Sequence, residues 1–174
     1  MEIQEHTFSA GEVTKAADIS ASTLQNWIKR SVIIGHRDIK GGGSQGRHRR
    51  FSWFNVMEIS IAAALVKTGV TDLPRAFDAA QKIAHTGDFP RRPGFPFHHN
   101  HGDTWLLISG ENARVLAGGY DDSFSLARAF PQKLRGPGYI ALNVSDVFSA
   151  VCRRLDLGHP FKLLDEAYPQ EANG

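Results

Sequence analysis

One cysteine, Cys152, stands among the 174 residues, so no internal disulfide can form and cysteine alone cannot assemble a thiolate metal site. A reducing compartment is expected. No stretch approaches the roughly eighteen apolar residues that a membrane span needs. The opening MEIQEHTFSAGE is acidic and polar where a signal peptide is basic and then apolar. Neither export nor anchoring is expected, and the reading is cytoplasmic. Catalytic signatures are missing too: no G-x-S-x-G elbow, no H-E-x-x-H, and no pair of carboxylates spaced for acid and base roles. An enzyme is not expected, and no cofactor is implied. Gly41 and Gly46 have the separation of the glycines in a phosphate-binding loop. Arg47 and His48 follow where that motif requires Lys and then Ser or Thr, so a nucleotide is not expected. Internal repeats of roughly 20 to 50 residues are also lacking.

What remains is an ordinary folding composition, 41% hydrophobic and 22% charged, far from the signature of disorder. The length suits one domain or two small ones. Net charge is only +2, yet residues 29–50 hold seven Lys/Arg against the single acid Asp38. A concentrated basic segment beside a body of opposite net charge suggests a polyanion gripped by one face; a solvated basic loop is the plain alternative.

Local signals punctuate the first half. Ser9 and Glu12 have capping-box spacing, predicting a helix from Ala10 with Val13, Ala16 and Ala17 inward and an end near Asp18-Ile19-Ser20. Ser20 caps a second helix with Leu24, Trp27 and Ile28 on one face and Ser22, Gln25, Asn26 and Lys29 opposite. Two short helices about three residues apart make a helix-turn-helix pattern. Val32-Ile33-Ile34 and Arg47 to Phe51, joined by a glycine-rich tip, predict a hairpin or wing. Ser52 caps a largely apolar third helix, Trp53 to Thr68, closed by Gly69; a fourth runs from Thr71-Asp72-Leu73-Pro74 to about His85. Residues 88–103, with three prolines, predict a loop or linker. Beyond it, Thr104–Ser109, Ala113–Ala117 and Gly138–Asn143 predict strands, and Ser145 is expected to cap a helix carrying Phe148, Val151 and Cys152.

In this order and spacing, Gly11-Glu12-Val13, Ile19-Ser20, Thr23-Leu24, Trp27, Arg37, Arg49-Arg50-Phe51-Ser52 and Gly69-Val70-Thr71 with Leu73 resemble the MerR-type winged helix-turn-helix of bacterial transcription regulators, over about residues 7–85. The sequence departs from the family's pattern where Gln25 replaces a usual arginine, Asp18 a favoured glycine, and Ser31-Val32 a common Gly-Leu. It lacks the family's long dimerising helix after His85 and its paired metal-sensing cysteines.

The expected fold class is therefore α+β: an N-terminal winged helix-turn-helix, mainly α with a β-hairpin wing, over 1–87, a linker or loop at 88–103, and a small α+β unit over 104–174 serving dimerisation or partner binding. The resemblance implies a sequence-specific, homodimeric, nucleoid-associated regulator of transcription on double-stranded DNA. The candidate DNA-binding residues are Ser22, Thr23, Gln25, Asn26, Lys29, Arg30, Arg37, Lys40, Arg47, His48, Arg49 and Arg50. Two alternatives are a DNA-bending accessory factor of site-specific recombination and a protein–protein adaptor on a winged scaffold. Trp27, Trp53 and Cys152 are read as core. His98, His99 and His101, with Asp103 and His85, form the only metal-like grouping; adjacent histidines in such a loop seldom point at one centre, so no metal is expected.

Overall fold

Thr7–Ser9 (β1) lies antiparallel to Arg50–Ser52 (β2), with Phe8 opposite Phe51, and both strands run directly into a serine that caps a helix. The computed structural model describes residues 3–41, 48–118 and 137–172, which form a mixed α+β fold. Ser9 starts α1 (Ala10–Ala17): its Oγ accepts from the Glu12 N–H at 3.2 Å and its own N–H donates to Glu12 Oε2 at 2.7 Å. The two bonds that Ser9 donates to Glu12 Oε2, from its N–H foremost and from its hydroxyl at 2.7 Å, hold the Glu12 carboxyl below its ordinary pKa. Ser20 caps α2 (Ala21–Lys29), and Ser52 with Asn55 repeats the reciprocal arrangement at α3 (Trp53–Lys67). Asp72 caps α4 (Leu73–Ala84), with Pro74 in the first turn where its missing N–H costs nothing.

The second half is a three-stranded antiparallel sheet, order β4-β3-β5, made of Asp103–Ser109 (β3), Asn112–Gly118 (β4) and Ile140–Asn143 (β5). It is followed by α5 (Val144–Leu155) and α6 (Pro160–Ala167). Asn143, not Ser145, caps α5; the Ser145 hydroxyl instead accepts from the Thr104 N–H at 2.9 Å, fastening the helix to the central strand. The three-residue β1 carries too little periodicity to be seen in sequence, and α6, as long as α1, lacks the capping box that announces that helix.

The hydrophobic core does not divide at residues 88–103. One cluster joins Phe8, Val13, Leu24 and Ile59 to Leu106, Phe148, Val151 and Cys152. Trp53 is its hub, fully buried, with ring centroids 6.1 Å from Phe8, 5.9 Å from Phe95 and 6.0 Å from Phe148. Trp27 is buried edge-on against Phe77 at 5.3 Å, as its helix face predicts. Cys152 is buried, and burial pushes its thiol pKa up to about 12.

The expected linker is also packed. Arg91, 2% exposed, donates to the carbonyls of Lys82, Ile83, Thr86 and Phe95, satisfying acceptors left over at the end of α4. Trp53 Nε1 donates to the Gly94 carbonyl at 3.0 Å, and the Tyr168 hydroxyl donates to the Pro96 carbonyl at 2.7 Å. Among the described residues no helix is long and apolar enough to cross a membrane.

Candidate nucleic-acid interface

The turn between α1 and α2 is held from two sides. Asp18 ends α1 in the left-handed region (φ 54°), accepting from Lys67 Nζ at 2.6 Å and lying 3.5 Å from Arg154 of α5. The bond from Lys67, and its charge, hold the Asp18 carboxyl below its ordinary pKa. Ser20 Oγ then accepts from the Thr23 N–H at 3.0 Å and lies 2.8 Å from the hydroxyls of both Ser22 and Thr23. Leu24 and Trp27 point into the core, which leaves Ser22, Gln25, Asn26 and Lys29 exposed at helical spacings of three and four. Thr23 is half-buried, and Arg30, in the C-cap position, is exposed.

After α2 the chain turns at Ser31, again left-handed at φ 55°. The extended segment expected at Val32-Ile33-Ile34 is instead the lead into a 3-10 turn, Ile34–Asp38. The cause is Glu58, a fully buried carboxylate on α3 that accepts from the N–H of Ile34 at 2.5 Å and of Gly35 at 3.1 Å, and pairs with His85 Nε2 at 2.8 Å. Asn55 donates to the Gly35 carbonyl at 2.8 Å. Gly35 has no room for more than hydrogen: a Cβ there would lie 2.6 Å from both Asn55 Nδ2 and the His85 ring. Glu58 and Asn55 fix the loop that bears Arg37, and sequence reading missed both; their only signal was polar side chains inside a largely apolar helix.

Lys40 and Arg50 exchange backbone bonds of 2.9 and 2.7 Å, closing the base of the glycine-rich segment. Its tip, with the candidate Arg47, lies outside the described residues. Arg37, Lys40, His48 and Arg50 are exposed, and Arg49 is half-buried. Among the described residues, none of Lys29, Arg30, Arg37, Lys40, Arg49 or Arg50 is within ion-pair distance of a carboxylate. Arg50 acts on the Glu12 carboxyl through space, and none of the six is tied up in an ion pair with a described carboxylate.

The histidine grouping separates into parts. His85 belongs to the Glu58 network, Asp103 accepts from Asn143 at 3.0 Å, and His101 pairs with Glu171 at 2.5 Å. His98 and His99, expected to diverge on a solvated loop, converge: their Nε2 atoms lie 3.0 and 2.8 Å from the same oxygen, Oδ1 of Asp165 on α6. His98 is buried, while the His99 and Asp165 side chains are 29% and 44% exposed. Bonds from His99 and His98 hold the Asp165 carboxyl below its ordinary pKa. Neither a protein-family model nor a curated protein matches the chain.

Proposed function

We propose that the chain is a sequence-specific DNA-binding regulator of transcription, with α2 in a major groove and the segment from Arg37 to Arg50 on the flanking backbone. The observation that carries this reading is the outward face of α2, where Ser22, Gln25, Asn26 and Lys29 are exposed, followed at once by cations that form no ion pair with a described carboxylate. The MerR-type resemblance gains support from the backbone. Asp18 and Ser31, which stand where that family favours glycine, are two of only three non-glycine residues at positive φ among the described residues. One such head reads few base pairs, so the proposal includes a homodimer on a two-fold site, with residues 104–174 supplying the contact.

The test uses full-length protein and a duplex enriched from a random pool. Each phosphate neutralised contributes a slope of about −0.9 to log K against log salt, so replacing Arg37, Lys40 and Arg50 by alanine should flatten the slope by up to about 2.7. Gln25→Ala or Asn26→Ala should cost about 1–3 kcal/mol at particular base pairs and leave random DNA nearly unaffected. A triple variant that binds like the parent at every salt concentration refutes the backbone contacts. Equal losses on enriched and random duplex refute the readout by α2.

A further inference from the structure

Two neighbouring histidines and an aspartate 66 and 67 residues away meet at one point on the surface of the second half. Their donor atoms, one from each side chain, all lie within 4.8 Å of one another. Phe161 stacks on the His99 ring at 4.6 Å and 23°, and Tyr168 meets the His98 ring edge-on at 6.0 Å, so both imidazoles are held by packing as well as by the carboxylate. We propose that His98, His99 and Asp165 bind a single divalent ion of the zinc class, through the two Nε2 atoms and one carboxylate oxygen, with solvent in the remaining position.

The donor chemistry suits such an ion, since two imidazoles and one carboxylate form a borderline-soft set that zinc accepts and calcium or magnesium does not favour. Around a tetrahedral zinc with bonds of about 2.0–2.1 Å, donors sit roughly 3.3–3.5 Å apart. The Nε2-to-Oδ1 separations of 3.0 and 2.8 Å therefore have to open by about half an ångström. Asp165, the most exposed of the three, sits on the short α6 and is the group best placed to yield. Zinc takes the Nε2 lone pairs, so the single proton that each ring shares with Asp165 through Nε2 moves by way of solvent to that ring's Nδ1, and the bound imidazoles stay neutral. For His98 that gives up the contact with the Asn100 N–H, a long one at 3.4 Å. The buried ring of His98 closes the site on the inside, and the partly exposed His99 and Asp165 leave an entry from solvent. An ion there would fasten α6 to the 98–101 turn, independently of whether the first half binds DNA.

Untagged full-length protein, freed of metal by chelator, is titrated with Zn²⁺ by calorimetry and with Co²⁺ by visible absorption. One ion per chain is expected, with the intense d–d bands of a four-coordinate site for Co²⁺ and a melting midpoint raised by Zn²⁺. His99→Gln and Asp165→Asn are chosen because both side chains are partly exposed, and their melting in chelator reports whether they fold. Each should weaken Zn²⁺ by at least about 100-fold, beyond the 10–100-fold typical of losing an outer partner. His101→Ala should bind like the parent. The proposal is overturned if the parent takes up no stoichiometric Zn²⁺, if folded His99→Gln and Asp165→Asn retain parental affinity, or if His101→Ala abolishes binding. Should either variant fail to melt cooperatively in chelator, histidine NMR shifts of the parent on adding Zn²⁺ decide: His98 and His99 must move, and their silence refutes the site.

Discussion

Removing the Glu58 carboxylate tests how the loop after α2 is held. In Glu58→Ala the N–H groups of Ile34 and Gly35 lose their acceptor, the His85 ring loses its partner, and a cavity opens within a fully buried stretch of α3. A buried donor left without a partner costs about 1–3 kcal/mol; the Gly35 N–H is such a donor and that of the exposed Ile34 only partly so, and the two together predict a loss of about 2–4 kcal/mol. That is a large part of the roughly 5–15 kcal/mol that holds a native domain together. Glu58→Gln keeps the shape, but one of its two terminal atoms now donates, so only one N–H keeps an acceptor and the expected loss is about 2 kcal/mol. Urea unfolding followed by the fluorescence of the buried Trp27 and Trp53 ranks the parent, Glu58→Gln and Glu58→Ala in that order. Because the same loop carries Arg37 and Lys40, Glu58→Gln should also bind duplex DNA about tenfold more weakly while still folded, a difference of about 1.4 kcal/mol. A Glu58→Ala protein within about 1 kcal/mol of the parent, at unchanged denaturant slope, would refute the reasoning, since a buried donor and a partly buried one left without their acceptor cannot together cost so little.

Two further outcomes follow from single positions. Ser31→Gly should stabilise: the left-handed backbone costs a non-glycine residue roughly 1–2 kcal/mol, glycine's extra freedom when unfolded takes back about 0.4–1, and the net of about 0.5–1 kcal/mol should raise the melting midpoint by a few degrees. A lowered midpoint would mean that the Ser31 side chain does something its exposed position does not suggest. Cys152, with its thiol pushed up to about 12 by burial, should have almost no thiolate at pH 8 and resist alkylation until denaturant is added. Complete modification of the native protein within minutes would contradict its burial.

Much of the first half was legible because its signals are local. Ser9 with Glu12, Ser20, Ser52 and Asp72 each announce a helix within four residues of where it begins. The outward face of α2 follows from spacing once Leu24 and Trp27 are assigned inward. What escaped depends on partners distant in sequence. Glu58 acts on residues 34, 35 and 85, and its pull turns a β-branched run that reads as a strand into a 3-10 turn. His98 and His99 read as a polar loop because the aspartate that gathers them lies on α6, a helix that no capping box announces in the sequence. Residues 88–103 have the prolines of a linker, but nothing in their composition announces that Arg91 and Phe95 would be buried.

Arg154 reaches from α5 to the Ala16 carbonyl at the end of α1, 2.8 Å away, as well as to Asp18 beyond it. The angle between the first two helices is thus set partly by a residue near the far end of the chain. A helix pair held this way is not a portable part. Cutting after Gly87 would strip Phe148 from Trp53 and Arg154 from the α1–α2 turn. Fusing residues 1–87 to a foreign oligomerisation domain would transplant an unfinished core. The unit that can be borrowed, swapped or recombined is the whole chain, and drift in its second half is felt at the first turn of its first helix pair.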